Sequence, residues 1–322
     1  MGGMNNLLDP AILFFVLGIF AGAIRSNLEI PAQVAKFLSL YLLMALGLKG
    51  GFALSSNGLN AQALSGIGIA VALAFIVPTL GYLILRSWVS GFNAAAIASA
   101  YGSVSAVTFV TALQYLESAG IPAGGHMTVA MVLMESPAII MAVLLANTLR
   151  HRQGMVNSHS PKIGKILHES FTDGAHLLLL GSLVIGWISG ESGKVMMKPF
   201  SGDLFKGMLA FFLLDMGLLV ARNFKQAREA SPLLLGYAVI GPVVHAILAF
   251  ALAWFAGLAP GDAAILMTLA ASASYIVVPA VLRYAIPEAN PALYFGLSLG
   301  LTFPINILIG IPLYAKIASS FL

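Results

Sequence analysis

Apolar runs of about 20 residues, the length that a helix needs to cross a hydrocarbon core of roughly 30 Å, recur along the whole chain. No polar segment of domain size separates them. Of the 322 residues, 59% are hydrophobic and 9% are charged, whereas a soluble domain is about 25% charged. The chain is therefore expected to be an all-α polytopic membrane protein without a separate soluble domain.

The runs predict ten transmembrane helices, five on each side of a polar stretch at residues 150–173. They are placed at residues 7–24, 36–54, 64–85, 93–116, 125–149, 174–189, 204–221, 232–257, 262–284 and 292–318. Because five is an odd number, the second half must start from the opposite face of the membrane. The expected organisation is a five-helix repeat at residues 1–149, a cytoplasmic linker at 150–173 and an inverted five-helix repeat at 174–322.

Most of the 16 lysine and arginine residues fall on the same side of this topology as the linker. Basic residues near the ends of spans mark the cytoplasmic face, so both termini are expected outside. The opening residues, MGGMNNLLDP, lack the basic region of a cleaved signal peptide, and the first run is interpreted as a retained span. The formal charge of +4 is attributed to orientation, and no nucleic-acid partner is expected.

One span occurs twice, at residues 93–122 and 262–287, with the same polar interruption. At a constant offset, Ser103 aligns with Ser272 and Ser105 aligns with Ser274. Helix breaks survive in hydrocarbon only where they are buried or line a cavity, because each unsatisfied backbone group costs several kcal/mol. The fourth and ninth helices are therefore predicted to be interrupted, to meet near the midplane and to form a binding site.

The N-terminal ends of half-helices carry free N–H groups and a partial positive charge, which suits a small anion. Small and hydroxylated residues of the two interruptions are the candidates for the substrate site. They are Gly102, Ser103, Val104, Ser105, Ser272, Ala273, Ser274 and Tyr275. The alternative is that the serines only let two helices cross closely and bond back to their own carbonyls.

Glu135 lies within the fifth span, where a carboxylate is costly unless it is paired, so it is predicted to be functional. Pro137 and its counterpart Pro304 each free an upstream carbonyl that could coordinate a cation, or they only kink their helices. Thr108 and Thr302 complete the candidates for a coupling ion, which is expected to be sodium. No resident cofactor or metal site is expected, since cysteine is absent and His126, His176 and His245 lack ligand spacing.

Catalytic motifs give no support for an enzyme. The G-x-S-x-G pattern at residues 296–300 lies inside an apolar run and lacks the strand-turn-helix context of a nucleophile elbow. The chain has neither H-E-x-x-H nor a Walker loop. Lys49 and Asp215, in the second and seventh spans, are interpreted as a structural pair, with an outward-reaching Lys49 as the alternative.

Five pieces of the chain, in order and in spacing, resemble the cyanobacterial sodium-dependent bicarbonate transporter family over nearly the full length. They are LMALGLKGG at residues 43–51, YGSVS at 101–105, MESPA at 134–138, LRYAIPEANP at 282–291 and GIPL at 310–313. The resemblance implies ten spans in two inverted repeats, a trimer, sodium-coupled uptake of bicarbonate and regulation by a small PII-like protein on the cytoplasmic face.

The chain departs from the pattern of that family at the predicted site. Tyr275 stands where the family has Asp, and Glu135 replaces another Asp. Ala-Val at residues 106–107 replaces Gly-Ser, and Thr-Phe at 302–303 replaces Gly-Thr. The loss of a carboxylate at position 275 removes a negative charge that a sodium site would use. These changes leave both the substrate and the coupling ion open.

The leading hypothesis is a secondary transporter of the bacterial inner membrane that takes up bicarbonate with sodium. A core of helices three to five and eight to ten would rock against a scaffold of the other four. The alternative is a proton-coupled carrier of another small anion, with Glu135 protonated and Tyr275 contacting the substrate. A third hypothesis is a transport-dead receptor whose linker recruits a cytoplasmic partner. Membrane lipid and further copies of the chain are the other expected partners.

Overall fold

The structure, a computed structural model, describes residues 9–153, 168, 174–228 and 230–322. Nearly all of these residues are helical, and none of them forms a strand. Seven helical stretches in this part of the chain are long and apolar enough to cross a membrane. The predicted all-helical membrane character is therefore confirmed. Most of the predicted linker at residues 150–173 lies outside the described residues.

The first half contains α1 (Pro10–Ala23), α2 (Ala32–Asn57), α3 (Ala61–Leu85), α4 (Gly91–Gly102), α5 (Ala106–Ser118) and α6 (His126–Arg152). The second half contains α7 (Gly174–Lys198), α8 (Phe205–Arg228), α9 (Pro232–Phe255), α10 (Pro260–Ala271), α11 (Val277–Ala285) and α12 (Pro291–Phe321). Residues 103–105 form the first interruption, between α4 and α5. Residues 272–276 form the second, between α10 and α11.

The predicted end of the sixth span at residue 189 agrees with the structure, because the helical stretch Gly174–Lys198 consists of two helices that meet at a kink at Gly190. Gly190 has φ 55° and ψ −143°, a conformation that glycine adopts without a steric penalty. One helix can therefore end there and the next can begin in a new direction. The apolar pattern predicted the first of these two helices and missed the second.

Polar side chains set the beginnings of several helices. Asp9 accepts a 2.8 Å hydrogen bond from the Ala11 backbone N–H, directly before a proline in the first turn of α1. Asn60 accepts a 2.8 Å hydrogen bond from the Ala63 N–H at the start of α3. Such caps satisfy backbone donors that have no partner within the helix.

Two helix pairs, α1 with α8 and α2 with α7, pack through glycine. A Cβ atom on Gly18 of α1 would lie 2.2 Å from the Leu214 carbonyl oxygen of α8, and one on Gly51 of α2 would lie 2.2 Å from the Leu183 carbonyl oxygen of α7. Close approach of helix backbones in membranes requires such small residues. The contacts advance in the same direction along both members of each pair, so both pairs are parallel.

Candidate functional site

The two predicted interruptions are present and are hydrogen-bonded to each other. The Ser105 backbone N–H donates a 3.0 Å hydrogen bond to the Ser272 side-chain oxygen. The Ser274 backbone N–H donates a 2.8 Å hydrogen bond to the Ala100 carbonyl oxygen. All three serines are buried. Each interruption therefore supplies a partner that the other lacks within its own helix.

A side chain from α12 satisfies a backbone carbonyl group at the second interruption. Asn306 donates a 2.7 Å hydrogen bond from Nδ2 to the Ala271 carbonyl oxygen, at the end of α10. Helix ends leave carbonyl groups without partners, and hydrocarbon offers no water to replace them. The bonds to Ala100 and Ala271 thus explain how a membrane-embedded structure tolerates two broken helices at one level.

The hydroxyl groups of Ser105 and Ser274 cap the half-helices that follow them. Ser105 Oγ accepts a 3.2 Å hydrogen bond from the Thr108 N–H, and Ser274 Oγ accepts a 3.3 Å hydrogen bond from the Val278 N–H. A serine hydroxyl that accepts one bond retains its own O–H as a donor. Both residues can therefore cap a helix and also donate to an anion.

A partly open cavity lies beside the two interruptions. We call it the serine cavity, because Ser105 and Ser274 each line it from one interruption. On the same wall are Val104, Ala106, Val107, Val110, Met131, Glu135, Tyr275 and Ile276. The opposite wall consists of Ser39, Leu42 and Leu43 of α2, Ala175, His176 and Leu179 of α7, and Phe212 of α8. The cavity thus lies between the interrupted helices and the paired helices α2, α7 and α8.

An acid–base pair links these two walls. The Glu135 carboxylate of α6 contacts the His176 imidazole of α7, and their side chains are only 8% and 6% exposed. A buried carboxylate needs such a partner. The sequence identified Glu135 but noted His176 only as a histidine without metal-ligand spacing. The contact joins two residues on different helices, so no spacing of residues along the sequence predicts it.

Tyr275 also reaches from one wall to the other. Its ring packs edge-on against Phe303 at a centroid distance of 5.2 Å, and its hydroxyl lies 3.9 Å from the Met216 sulfur of α8. The hydroxyl is also beside Ser105. The bulky side chain thus lines the serine cavity next to Ser105.

The remaining substrate candidates do not line the serine cavity. Gly102 lies against α3, where an added Cβ would be 2.6 Å from the Pro78 ring. Ser103 is buried, and its hydroxyl has no hydrogen-bond partner among the described residues. Ser272 binds its own helix through the Leu269 carbonyl at 2.8 Å, as the packing interpretation expected. Ala273 is buried in the hydrophobic core.

Of the coupling-ion candidates, Glu135 lines the serine cavity, whereas Thr108 and Thr302 do not. Thr302 and Tyr101 share a hydrogen bond of 2.6 Å between their hydroxyls, and Thr302 also donates to the Ala238 carbonyl at 2.8 Å. Thr302 is absent from the lining of the serine cavity, where Glu135 lies. Thr108 is buried at the start of α5. The sequence suggested that Lys49 pairs with Asp215, but Lys49 instead binds Glu117 at 3.1 Å. This pair lies close to water, where the two charged groups lose less hydration.

Two reciprocal contacts tie the halves of the chain together. Asp262, at the start of α10, accepts a 2.6 Å hydrogen bond from the Gly124 N–H in the loop before α6. Asn93, at the start of α4, accepts a 2.8 Å hydrogen bond from the Asn290 N–H in the loop before α12. Asn93 and Asp262 begin the two copies of the repeated sequence, so each copy holds the loop that follows the other.

The family model of the Na⁺-dependent bicarbonate transporter superfamily matches residues 10–319 of the chain. The chain belongs to this superfamily. The match confirms the resemblance found in the sequence, and it makes the chain a membrane transporter for a small anion and not an enzyme. No curated protein matches the chain.

In this transporter an arginine that the sequence assigned only to orientation has a specific partner. Arg150, buried at the end of α6, donates from Nε and Nη2 to both Glu288 carboxylate oxygens at 2.9 and 2.8 Å. It also binds the Ala285 carbonyl oxygen at 2.9 Å. The hydrogen bonds from Arg150 hold the pKa of Glu288, in the loop before α12, below its ordinary value. This cluster fastens the end of α11 to α6.

Proposed function

We propose that the chain is a secondary transporter that takes up bicarbonate together with sodium by alternating access. The observation that carries this proposal is the serine cavity, where two interrupted helices that bind each other face a separate wall of paired helices. Broken helices at matching positions are typical binding sites of transporters with internal repeats. The choice of bicarbonate as the anion and of sodium as the coupling ion follows the description of the family.

The proposed topology has ten spans in two inverted five-helix repeats, at residues 1–149 and 174–322. It counts the long helical stretch Gly174–Phe224 as α7 and α8, and adds α1 and the α10–α11 pair as spans. The reciprocal contacts of Asn93 and Asp262 support such symmetry. The parallel pairs α1–α8 and α2–α7 also support this symmetry. If the two halves exchanged places, α1 would become α7 and α8 would become α2, so one pair would become the other.

The anion is proposed to bind between the two interruptions. The Ser105 and Ser274 hydroxyls would donate to it, and the first turns of α5 and α11 would add the positive ends of their dipoles. Tyr275 would limit the size of the anion and exclude water. Movement of the interrupted helices against α2 and α7 would then expose the site to each side of the membrane in turn.

Glu135 is the first candidate for binding the coupling ion, because its carboxylate faces the cavity. Thr108 and Thr302 are further candidates, since the Thr302 hydroxyl, bonded to Tyr101 and to the Ala238 carbonyl, keeps a lone pair that could bind a cation. Sodium binding near Glu135 would compensate the negative charges of the carboxylate and the anion in one cavity. Binding of the two ions would therefore be mutually favourable.

The contact between Glu135 and His176 supports a second candidate function. A buried carboxylate and imidazole can hold a proton between them, and histidine changes charge near neutral pH. The chain would then be a proton-coupled carrier of another small anion, with Tyr275 touching the substrate. A receptor that binds the anion without moving it is the third candidate.

Uptake of labelled bicarbonate into proteoliposomes distinguishes these functions. We expect accumulation with an imposed sodium gradient and its loss in Glu135→Gln, while Glu191→Gln, at an exposed acid of α7, transports normally. Accumulation driven by a proton gradient alone would favour the second function. Binding without flux would favour the receptor. A normal sodium response in Glu135→Gln would refute the role of Glu135.

The proposed setting is the bacterial inner membrane, with both termini outside and lipid around the apolar surface. By its family the chain is also proposed to form a trimer and to bind a small PII-like protein through the cytoplasmic linker. The mass of the detergent-solubilised protein tests the trimer. Copurification with a PII-like protein, compared between the full chain and a variant with a shortened linker, tests the partner.

A further inference from the structure

A second, partly open cavity lies farther along the same helices. We call it the lysine cavity, because Lys49 of α2 provides its only basic side chain among the described lining residues. Other residues of its lining are Gln114, Glu117, Thr128 and Phe205. The proposed function assigns no role to any of these residues.

The two cavities follow one seam between α2, α5 and α6. Along α2 the lining passes from Leu43 in the serine cavity to Leu46 in the lysine cavity, and along α5 from Val110 to Leu113. Along α6, which runs the other way, residue 131 lines the first and residue 128 the second. Apolar side chains therefore separate two cavities on a single path.

Lys49 has a defined position in the lysine cavity. Its Nζ atom lies 3.1 Å from Glu117 Oε2 of α5 and 4.5 Å from the centre of the Phe205 ring of α8. The two charged side chains are 31% and 58% exposed, and ion pairs in contact with water contribute little stability. An incoming anion can therefore replace Glu117 at the ammonium group at low cost.

Gln114 provides an independent indication of a ligand. It is 5% exposed, and its Nε2 donates a 3.0 Å hydrogen bond to the Ser118 hydroxyl. Its Oε1 has no hydrogen-bond partner in the described part of the chain. A buried acceptor without a partner is costly. The Gln114 side chain borders the cavity, so a small rotation of its amide would let a ligand with an O–H group satisfy this atom, whereas a simple halide would not.

We propose that the lysine cavity is a capture site for a small oxoanion that retains a hydroxyl proton, such as bicarbonate. Lys49 binds the anionic oxygens, Gln114 Oε1 accepts a hydrogen bond from the hydroxyl group, and Glu117 competes with the anion for Lys49. The site collects the anion at one end of the path whose other end is the serine cavity. The inference rests on the proposed function, since it assigns the same anion to both cavities.

Acylation of lysines by an N-hydroxysuccinimide ester, read by mass spectrometry on the purified full chain, tests the site directly. At equal pH and ionic strength, sodium bicarbonate is expected to slow labelling of Lys49 several-fold relative to sodium chloride. Lys194, an exposed lysine paired with Glu191 at 3.1 Å, serves as the control in the same digest and should label equally in both salts. Equal labelling of Lys49 in the two salts would overturn the proposal.

Uptake kinetics in proteoliposomes supply the second test. Lys49→Gln is expected to raise KM for bicarbonate about tenfold, the effect of one hydrogen bond to a charged group, with little change in kcat. Glu117→Gln should lower KM, because it removes the competitor, and Lys194→Gln should change neither constant. A merely structural ion pair would give Lys49→Gln and Glu117→Gln the same effect, and that result would overturn the proposal.

The two tests also separate this site from the proposed function. Protection of Lys49 without any uptake would leave the capture site standing and refute transport of bicarbonate. Normal uptake by the wild type with no protection and an unchanged KM in Lys49→Gln would refute the capture site alone.

Discussion

The backbone N–H of Ser105 donates its hydrogen bond to the side chain of Ser272, 3.0 Å away in the other half of the chain. Ser272 in turn donates to its own helix through the Leu269 carbonyl at 2.8 Å. One hydroxyl group therefore ends α10 and supplies the partner for the backbone just before α5. The two broken helices are consequently a single structural unit, in which neither break is satisfied alone.

Ser272→Ala should destabilise this unit. The substitution leaves the buried Ser105 N–H without an acceptor, which costs about 1–3 kcal/mol. Ser298→Ala is the matched control, because the buried Ser298 hydroxyl bonds back only to carbonyls of its own helix and its loss strands no backbone donor. Thermal unfolding of the detergent-solubilised protein compares them. Equal melting temperatures for the two variants would contradict this prediction.

The contact between Glu135 and His176 predicts strong coupling between two substitutions. His176→Leu leaves the buried carboxylate without its imidazole, at a cost of about 3 kcal/mol. Adding Glu135→Leu removes the stranded charge and should restore most of the lost stability. Unfolding of both single variants and the double variant measures this coupling. Additive losses would show that the two side chains act independently.

The sequence predicted the interruptions because each is encoded locally. A span in which serine, glycine and alanine replace leucine at mid-depth indicates either a broken helix or a close helix crossing, and its second copy at the same offset favoured the break. The positions of Ser105 and Ser274 beside one cavity followed from that repeat. Contacts made within one helix or one repeat are thus visible in the order of residues.

Partners across helices could not be predicted in this way. Glu135 meets His176 only because α6 and α7 face each other, and residues 154–167 between them carry no pattern that sets the angle. Lys49 was interpreted as the partner of Asp215 from equivalent helices, but the end of α5 brings Glu117 closer. Tertiary geometry, and not charge order along the chain, decided both pairs.

The Arg150–Glu288 cluster predicts a dependence of stability on acid. Hydrogen bonds from Arg150 lower the pKa of Glu288 from its ordinary 4.5. A carboxyl group whose pKa is lowered by folding adds stability above its unfolded pKa and loses it as the pH falls through the folded value. The wild type should therefore be more stable than Glu288→Gln at pH 7, and the difference should shrink below pH 4.5. A difference that stays constant from pH 7 to pH 3 would refute this linkage.

The parallel pair of α2 and α7 predicts opposite outcomes for two glycines of the same helix. A Cβ on Gly186 would lie 2.6 Å from the Leu48 carbonyl oxygen, a backbone atom that cannot move aside, whereas a Cβ on Gly181 would meet no atom within 4 Å. Gly186→Ala should therefore push the helices apart and lower the melting temperature, since overpacking costs about 1–3 kcal/mol. Gly181→Ala should be neutral or stabilising by up to about 1 kcal/mol, because alanine favours the helix. If both variants melt alike, the close packing of α2 on α7 does not determine the stability of this pair.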